Sequence, residues 1–146
     1  MPNPLIAQGT LNRLRGSVTW NAFPELNVTA PYLGRQGIRL SLDGESTVFL
    51  ETMSGAVTSP EPYMMATLTL NLLKTQALAN AYKARLETLA TIGDGTIRPD
   101  SATLSPYELV NCAIESVREQ DFSGADAGFA VTLKGYYLVN ASLWDA

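Results

Sequence analysis

The chain has 146 residues, 46% of them apolar and 16% charged, with a formal charge of -4. That is long enough to enclose a real core and most simply makes one domain over residues 1–146. It contains no histidine and a single cysteine, Cys112, which excludes Ser–His and Cys–His catalysis, histidine-bound metals, multi-cysteine cages and an internal disulfide. The mild acidity and the scattered basic residues argue against a protein that grips nucleic-acid phosphates.

In chain order, Met1–Gln8 carries two prolines and no periodicity. It reads as a frayed end, or as an arm of about residues 1–12 that orders against a neighbour. Thr10–Trp20 alternates loosely, with Leu14, Gly16, Val18 and Trp20 on one side, and predicts a strand that Phe23-Pro24 breaks. Leu26–Ala30 predicts a short strand ended by Pro31. Gly37–Asp43 sets Ile38, Leu40 and Leu42 against Arg39, Ser41 and Asp43. Asp43-Gly44 is a hairpin signal, and Thr47–Met53 is the expected partner strand. TMSGAVTSPEP, residues 52–62, reads as a loop long enough to serve in binding.

Met65–Leu72 alternates strictly, Ala66, Leu68, Leu70 and Leu72 against Thr67, Thr69 and Asn71, as a half-buried strand does. From Thr75, a candidate N-cap, the period lengthens. Leu78, Ala81, Tyr82, Leu86 and Leu89 share one helical face and Asn80, Lys83 and Glu87 the other. A helix over about 75–91 is expected, with Gly93 as its C-terminal stop. Arg85 falls inside the apolar arc, which requires its stem to pack while its head reaches outward. GDGTIRPDS then reads as a turn-rich connection. Ser105–Gln120 carries both a capping-box start and a strand-like alternation, and local signals leave helix and strand open. Gly124–Gly128 is a loop. Phe129–Val139 is a strand with Phe129, Val131, Leu133, Tyr137 and Val139 on one face.

No motif for chemistry emerges. Asp94 and Asp100 lack the spacing and terminal glutamate of a calcium loop, and Gly93-Asp94-Gly95 lacks the lysine or glycine spacing of a phosphate loop. Asn27-Val28-Thr29 and Asn140-Ala141-Ser142 match a glycosylation pattern, but no secretion signal accompanies them. Glu115 with Glu119 or Glu51 marks no pocket for acid–base work. Cys112 sits in an apolar segment as a small hydrophobe, and Tyr136, Tyr137 and Trp144 lack the basic groove that base stacking needs. No enzyme, cofactor or metal is expected. With no apolar run near the roughly 20 residues a bilayer crossing requires, the protein is expected to be soluble and made in a reducing cytoplasm.

The stretch YMMATLTLNLLKTQALANAYKARLETLATIGDGTI, followed by SPYELVNCAIESVREQDFSGADAGFAVTLKGYYLVN, resembles tail tube proteins of contractile-tailed bacteriophages. The likeness runs from about Leu14 to Trp144 and carries no catalytic signature. It implies a mainly-β fold, an antiparallel sandwich or incomplete barrel with one flanking helix, and a strand at Ser105–Gln120. It further implies hexameric rings whose strands join into one barrel and stack into the inner tail tube that conducts DNA. Sheath, tape measure and baseplate or tail initiator proteins would be partners, in a virion tail assembled in the host cytoplasm. In that setting Asp43, Glu51 and Glu115 are candidates to line the lumen. Residues 52–62, with Ser54, Gly55, Val57 and Ser59 at their centre, and the N-terminal arm are candidates for ring stacking. Arg13 and Arg15 could pair with acids of a neighbour. The alternatives are another ring-forming tail component, a secretion-system tube protein, or a monomeric β-barrel carrier with Tyr63, Tyr136 and Trp20 lining its cavity.

Overall fold

The computed structural model describes residues 8–117 and 122–145. Glu119 and Met1–Ala7, most of the expected arm, lie outside the described residues. Among the described residues eight strands and one α-helix follow each other as β1 Ser17–Trp20, β2 Leu33–Asp43, β3 Thr47–Thr52, β4 Gly55–Pro60, β5 Tyr63–Leu73, α1 Ala77–Thr88, β6 Thr91–Arg98, β7 Tyr107–Val117 and β8 Gly128–Leu138. Six of the strands form one antiparallel sheet in the order β1-β6-β7-β8-β5-β2. The sheet curls into a half-barrel with the helix beside it, the mainly-β architecture that the sequence resemblance implies.

The strict alternation of β5 explains its central place. Leu68, Leu70 and Leu72 lie opposite Leu133, Val131 and Phe129 of β8, and all six are buried. On its other side Leu68 and Leu70 face Leu40 and Ile38 of β2. Each aliphatic side chain so enclosed is worth roughly 1.5–3 kcal/mol relative to exposure. β7 and β8 pair antiparallel, so tertiary pairing decides the ambiguous segment in favour of strand. A bulge at Asn111, whose φ is 51, shifts the inward set to Leu109, Cys112 and Ile114.

Several local expectations are corrected. Thr10–Trp20 yields a strand only from Ser17, because residues 13–15 turn. Leu26–Ala30 is not a strand but a single bridge, Val28 to Val18, between short 3-10 turns at Pro24–Leu26 and Ala30–Tyr32. Asp43-Gly44 closes no hairpin, since β2 pairs with β5 and β3 pairs with β4. The 52–62 loop is largely strand β4. GDGTIR is likewise strand β6, its Ile92, Gly95 and Ile97 inward. Gly93, at φ 104, serves a bulge in that strand rather than the helix end. Gly95 is required where it stands, because a Cβ would enter the Trp20 ring.

The helix is shorter than its periodicity suggests. Gln76, with no side-chain bond, occupies the cap position instead of Thr75, and Leu89 ends the helix. Leu78 and Tyr82 are buried as expected and Ala79 joins them, whereas Leu86 and Leu89 are exposed because the helix meets the sheet only through its first two turns. The Tyr82 hydroxyl accepts from Trp20 Nε1 at 2.9 Å and donates to the Leu26 carbonyl at 2.7 Å, tying helix, β1 and the 3-10 turn through the core. Arg85 is accounted for as well. Its guanidinium lies 3.9 Å from the Phe23 ring centroid and donates to the Thr91 carbonyl through Nε and Nη2.

Candidate assembly interface

β3 and β4 form a two-stranded arm that pairs with no other strand among the described residues. All six residues of β4 and four of the six in β3 are exposed. One face of the arm carries Val48 and the cross-strand pair Leu50–Val57, and the other carries Phe49 and Glu51. Phe49, Leu50 and Val57 are each more than half exposed and Met53, at the tip, wholly so. An isolated two-stranded ribbon is marginal in water. This one presents large, mostly exposed apolar side chains on both faces and pairs with no other strand among the described residues.

Its root, in contrast, is fixed. Glu61 N donates to the Ser46 carbonyl at 2.8 Å, closing the two sides. Asn140 Nδ2 donates to both the Ser46 and the Glu61 carbonyls, at 2.9 and 2.8 Å, and Trp144 Nε1 donates to the Pro62 carbonyl at 3.0 Å. Asn140 holds a left-handed backbone, φ 50, a conformation that asparagine tolerates better than most residues. The arm is therefore held in direction at its base and free along its length. Asn140 and Trp144 were not singled out by the sequence for this role. A short-range pattern holds no trace of partners 79 and 82 residues away.

β2 is the edge of the large sheet, eleven residues with no strand on its outer side among the described residues. At the opposite end, β1 has its outer side partly closed by the reciprocal Val18–Val28 backbone bonds. Between Leu33 and Ile38 the β2 register breaks, and residues 34–37 bow outward, with Asn71 Nδ2 holding the Gly37 carbonyl at 3.0 Å. This bow and the far end of the curled sheet enclose an open cleft of about 650 Å³. Ile38, Ile97 and Tyr107 form part of its floor, and Arg13, Arg35 and Arg98 stand around it with Asp100 as the one acid. Arg98 reaches Thr19 Oγ1 at 3.2 Å. Arg13 and Arg35 have no ion-pair partner among the described residues.

The sheet face away from the core is polar over its middle, with Met65, Tyr136 and Ala130 also on it. Ser41, Thr67, Thr69, Asn71 and Thr132 lie on it in register, with Arg39 and Lys134 among them. Asp43 belongs to this face and accepts from Ser41 Oγ and from Thr67 Oγ1 at 2.8 Å. Glu115, next to inward Ile114, is exposed on β7. Glu51 stands apart from both, on the arm, which also holds Gly55, Val57 and Ser59 in β4 and Ser54 in the turn at its tip. The three carboxylates thus do not converge.

Nor do Tyr63, Tyr136 and Trp20. Trp20 is buried against Tyr82, while the Tyr63 and Tyr136 rings meet at a tilt of 58° with centroids 5.5 Å apart, and none of the three lines the cleft. Among the described residues no group of three potential ligands could hold a metal ion, and no helix is long and apolar enough to cross a membrane. Burial pushes the Cys112 thiol up to about 12, helped by the nearby Asp94 carboxylate, so the thiolate needed of a nucleophile is not available near neutral pH.

No family model and no curated protein matches the chain. Among solved structures it is similar to the anti-feeding prophage cap, described as a tube terminating cap. The identity is 14% over 94% of this chain and 97% of that one, with a TM-score of 0.49.

Proposed function

We propose that the protein is a structural subunit of a contractile-tail particle, in which hexameric rings of it stack into an inner tube that conducts DNA. The observation that carries this reading is the arm, a hairpin rooted firmly in the subunit, largely exposed and paired with no other strand among the described residues. Such an element has a reason to exist where another copy covers it. The open edge of β2 supplies a second, different surface, and an edge strand of that length normally calls for a partner. Two unlike self-contacts are what a stack of rings requires, one around the ring and one along the tube.

In this reading the polar face of β2, β5, β8 and β7 lines the bore, with Asp43 and Glu115 on it and Glu51 nearer the junction between rings. A mix of threonine, serine and balanced charge offers passing phosphates no lasting grip. Sheath, tape measure and initiator proteins would meet the outer face and the ends of the tube. The sequence resemblance to tail tube proteins supports the same assignment.

Electron microscopy of the purified protein, with a tail initiator added if needed, tests it. Tubes are expected from the intact chain. Deleting Ser54–Ser59 should abolish them while circular dichroism still shows the fold. Isolated rings that never stack would move the reading to a different ring-forming component. A protein that remains monomeric at high concentration would end it.

A further inference from the structure

We infer that the acidic arm of one copy docks into the arginine cleft of another copy, so that the cleft is the receptor of the stacking contact; this rests on the self-assembly proposed above. The segment Gly44–Pro62 contains Glu45, Glu51 and Glu61 and no basic residue. Glu45 and Glu51 are exposed, whereas the Glu61 backbone is engaged at the root. The cleft presents Arg13, Arg35 and Arg98 against a single acid, Asp100, over a floor that includes Ile38, Ile97 and Tyr107.

Both halves of the match are thus present in one chain. The arm combines carboxylates with Phe49, Leu50, Met53 and Val57, and the cleft combines guanidinium groups with an apolar floor. Arginine suits this role because its planar fork binds carboxylates in pairs of parallel bonds. The bowed 34–37 segment lines the cleft along its β2 side. No residue of the arm lines the cleft of its own subunit. Opposite charges steer the encounter and set the register, while the apolar side chains supply the burial.

The test uses the full chain in two single-cysteine additions, Val57→Cys on the arm and Gln36→Cys at the cleft rim. Each is purified separately and the two are mixed under mild oxidation, with buried Cys112 as the silent thiol common to both. The mixed disulfide dimer is expected to form at least about tenfold faster than either self-dimer. It should slow by a similar factor in 1 M salt, where the Debye length falls to about 3 Å. Adding Arg13→Glu and Arg35→Glu to the cleft partner should abolish the preference, and Glu45→Arg with Glu51→Arg on the arm partner should restore it. Tubes or rings that form without a mixed-dimer preference, or a preference indifferent to charge reversal, would overturn the docking and leave the assembly reading intact. A strong, charge-sensitive preference with no closed ring in micrographs would keep the docking and overturn the ring. A protein that shows neither association nor mixed dimer overturns both.

Discussion

Replacing Tyr82 by phenylalanine removes one oxygen from the centre of the molecule and orphans two groups at once. Tyr82, Trp20 and Leu26 are all nearly inaccessible, so neither the Trp20 N–H nor the Leu26 carbonyl can turn to solvent when the hydroxyl is lost. A buried polar group left without its partner costs about 1–3 kcal/mol. Two of them, less the hydroxyl's own desolvation of similar size, give an expected loss of about 1–3 kcal/mol. Urea unfolding followed by far-ultraviolet circular dichroism, at a concentration below assembly, measures it as a fall in midpoint at constant slope. A companion pH series gives a second, independent readout. Burial holds the Tyr82 phenol well above its ordinary range, with the Trp20 bond acting the other way. Because the folded pKa is the higher one, the contribution to stability is complete below about pH 10, the unfolded value. Above it the unfolded phenol ionises while the buried one does not, so stability falls as pH rises. The phenylalanine variant should lose that share of the alkaline slope. A change below about 0.5 kcal/mol, the size of an ordinary surface substitution, together with an unaltered slope, would show that the relay is not formed.

Three further outcomes are expected. Leu78→Ala, in the buried turn of α1, should cost about 2–5 kcal/mol, and Leu86→Ala, half a face away and exposed, should stay within about 0.5 kcal/mol; equal costs would mean that the helix packs along its whole length. Cys112 should resist alkylation in the folded protein at neutral pH and react only on unfolding. Its raised thiol should also make stability decline from about pH 8.5 upward, where the unfolded cysteine begins to ionise first. Asn140→Ala should cost about 1–2 kcal/mol, since alanine is strained at the left-handed φ of that position, and should speed amide exchange and proteolysis across residues 44–62, because it frees the Ser46 and Glu61 carbonyls that fix the arm; unaltered exchange there would locate the arm's rigidity elsewhere.

What could be read from the sequence divides along a physical line. β5, β8 and the first turns of α1 were legible because each buries one face against the core and alternates accordingly. Thr67 and Leu68, or Leu78 and Asn80, reveal their environments by type alone. β7 was half legible, since its capping-box residues compete locally with a strand that only the pairing to β8 enforces. β6 was missed because Gly93 and Gly95 look like turn residues, whereas one relieves a bulge and the other makes room for Trp20, a neighbour 75 positions earlier in the chain. The hairpin signal at Asp43-Gly44 is also instructive. The left-handed glycine is real, at φ 86, but it turns the chain into the arm instead of back along β2. The actual tip, Met53-Ser54, carries no such residue pair.

The arm itself explains why the interface is the hardest part to read. A strand inside a subunit announces itself by contrast between its two faces, because one meets the core and the other meets water. β3 and β4 lack that contrast: Phe49 and Leu50 are adjacent and therefore point to opposite faces, and β4 is GAVTSP, with a single large side chain. Judged against one subunit, such a ribbon looks like a loop, and its exposed apolar groups look like errors. Judged against two, both faces have something to meet, and small residues beside large ones become fit rather than indecision. The same holds for the cleft, whose arginines are scattered at positions 13, 35 and 98 and acquire a common purpose only when the sheet curls them together. Both halves of the proposed contact are thus invisible to periodicity for one reason. Periodicity reports burial within a chain, and the proposed contact would bury these residues between chains.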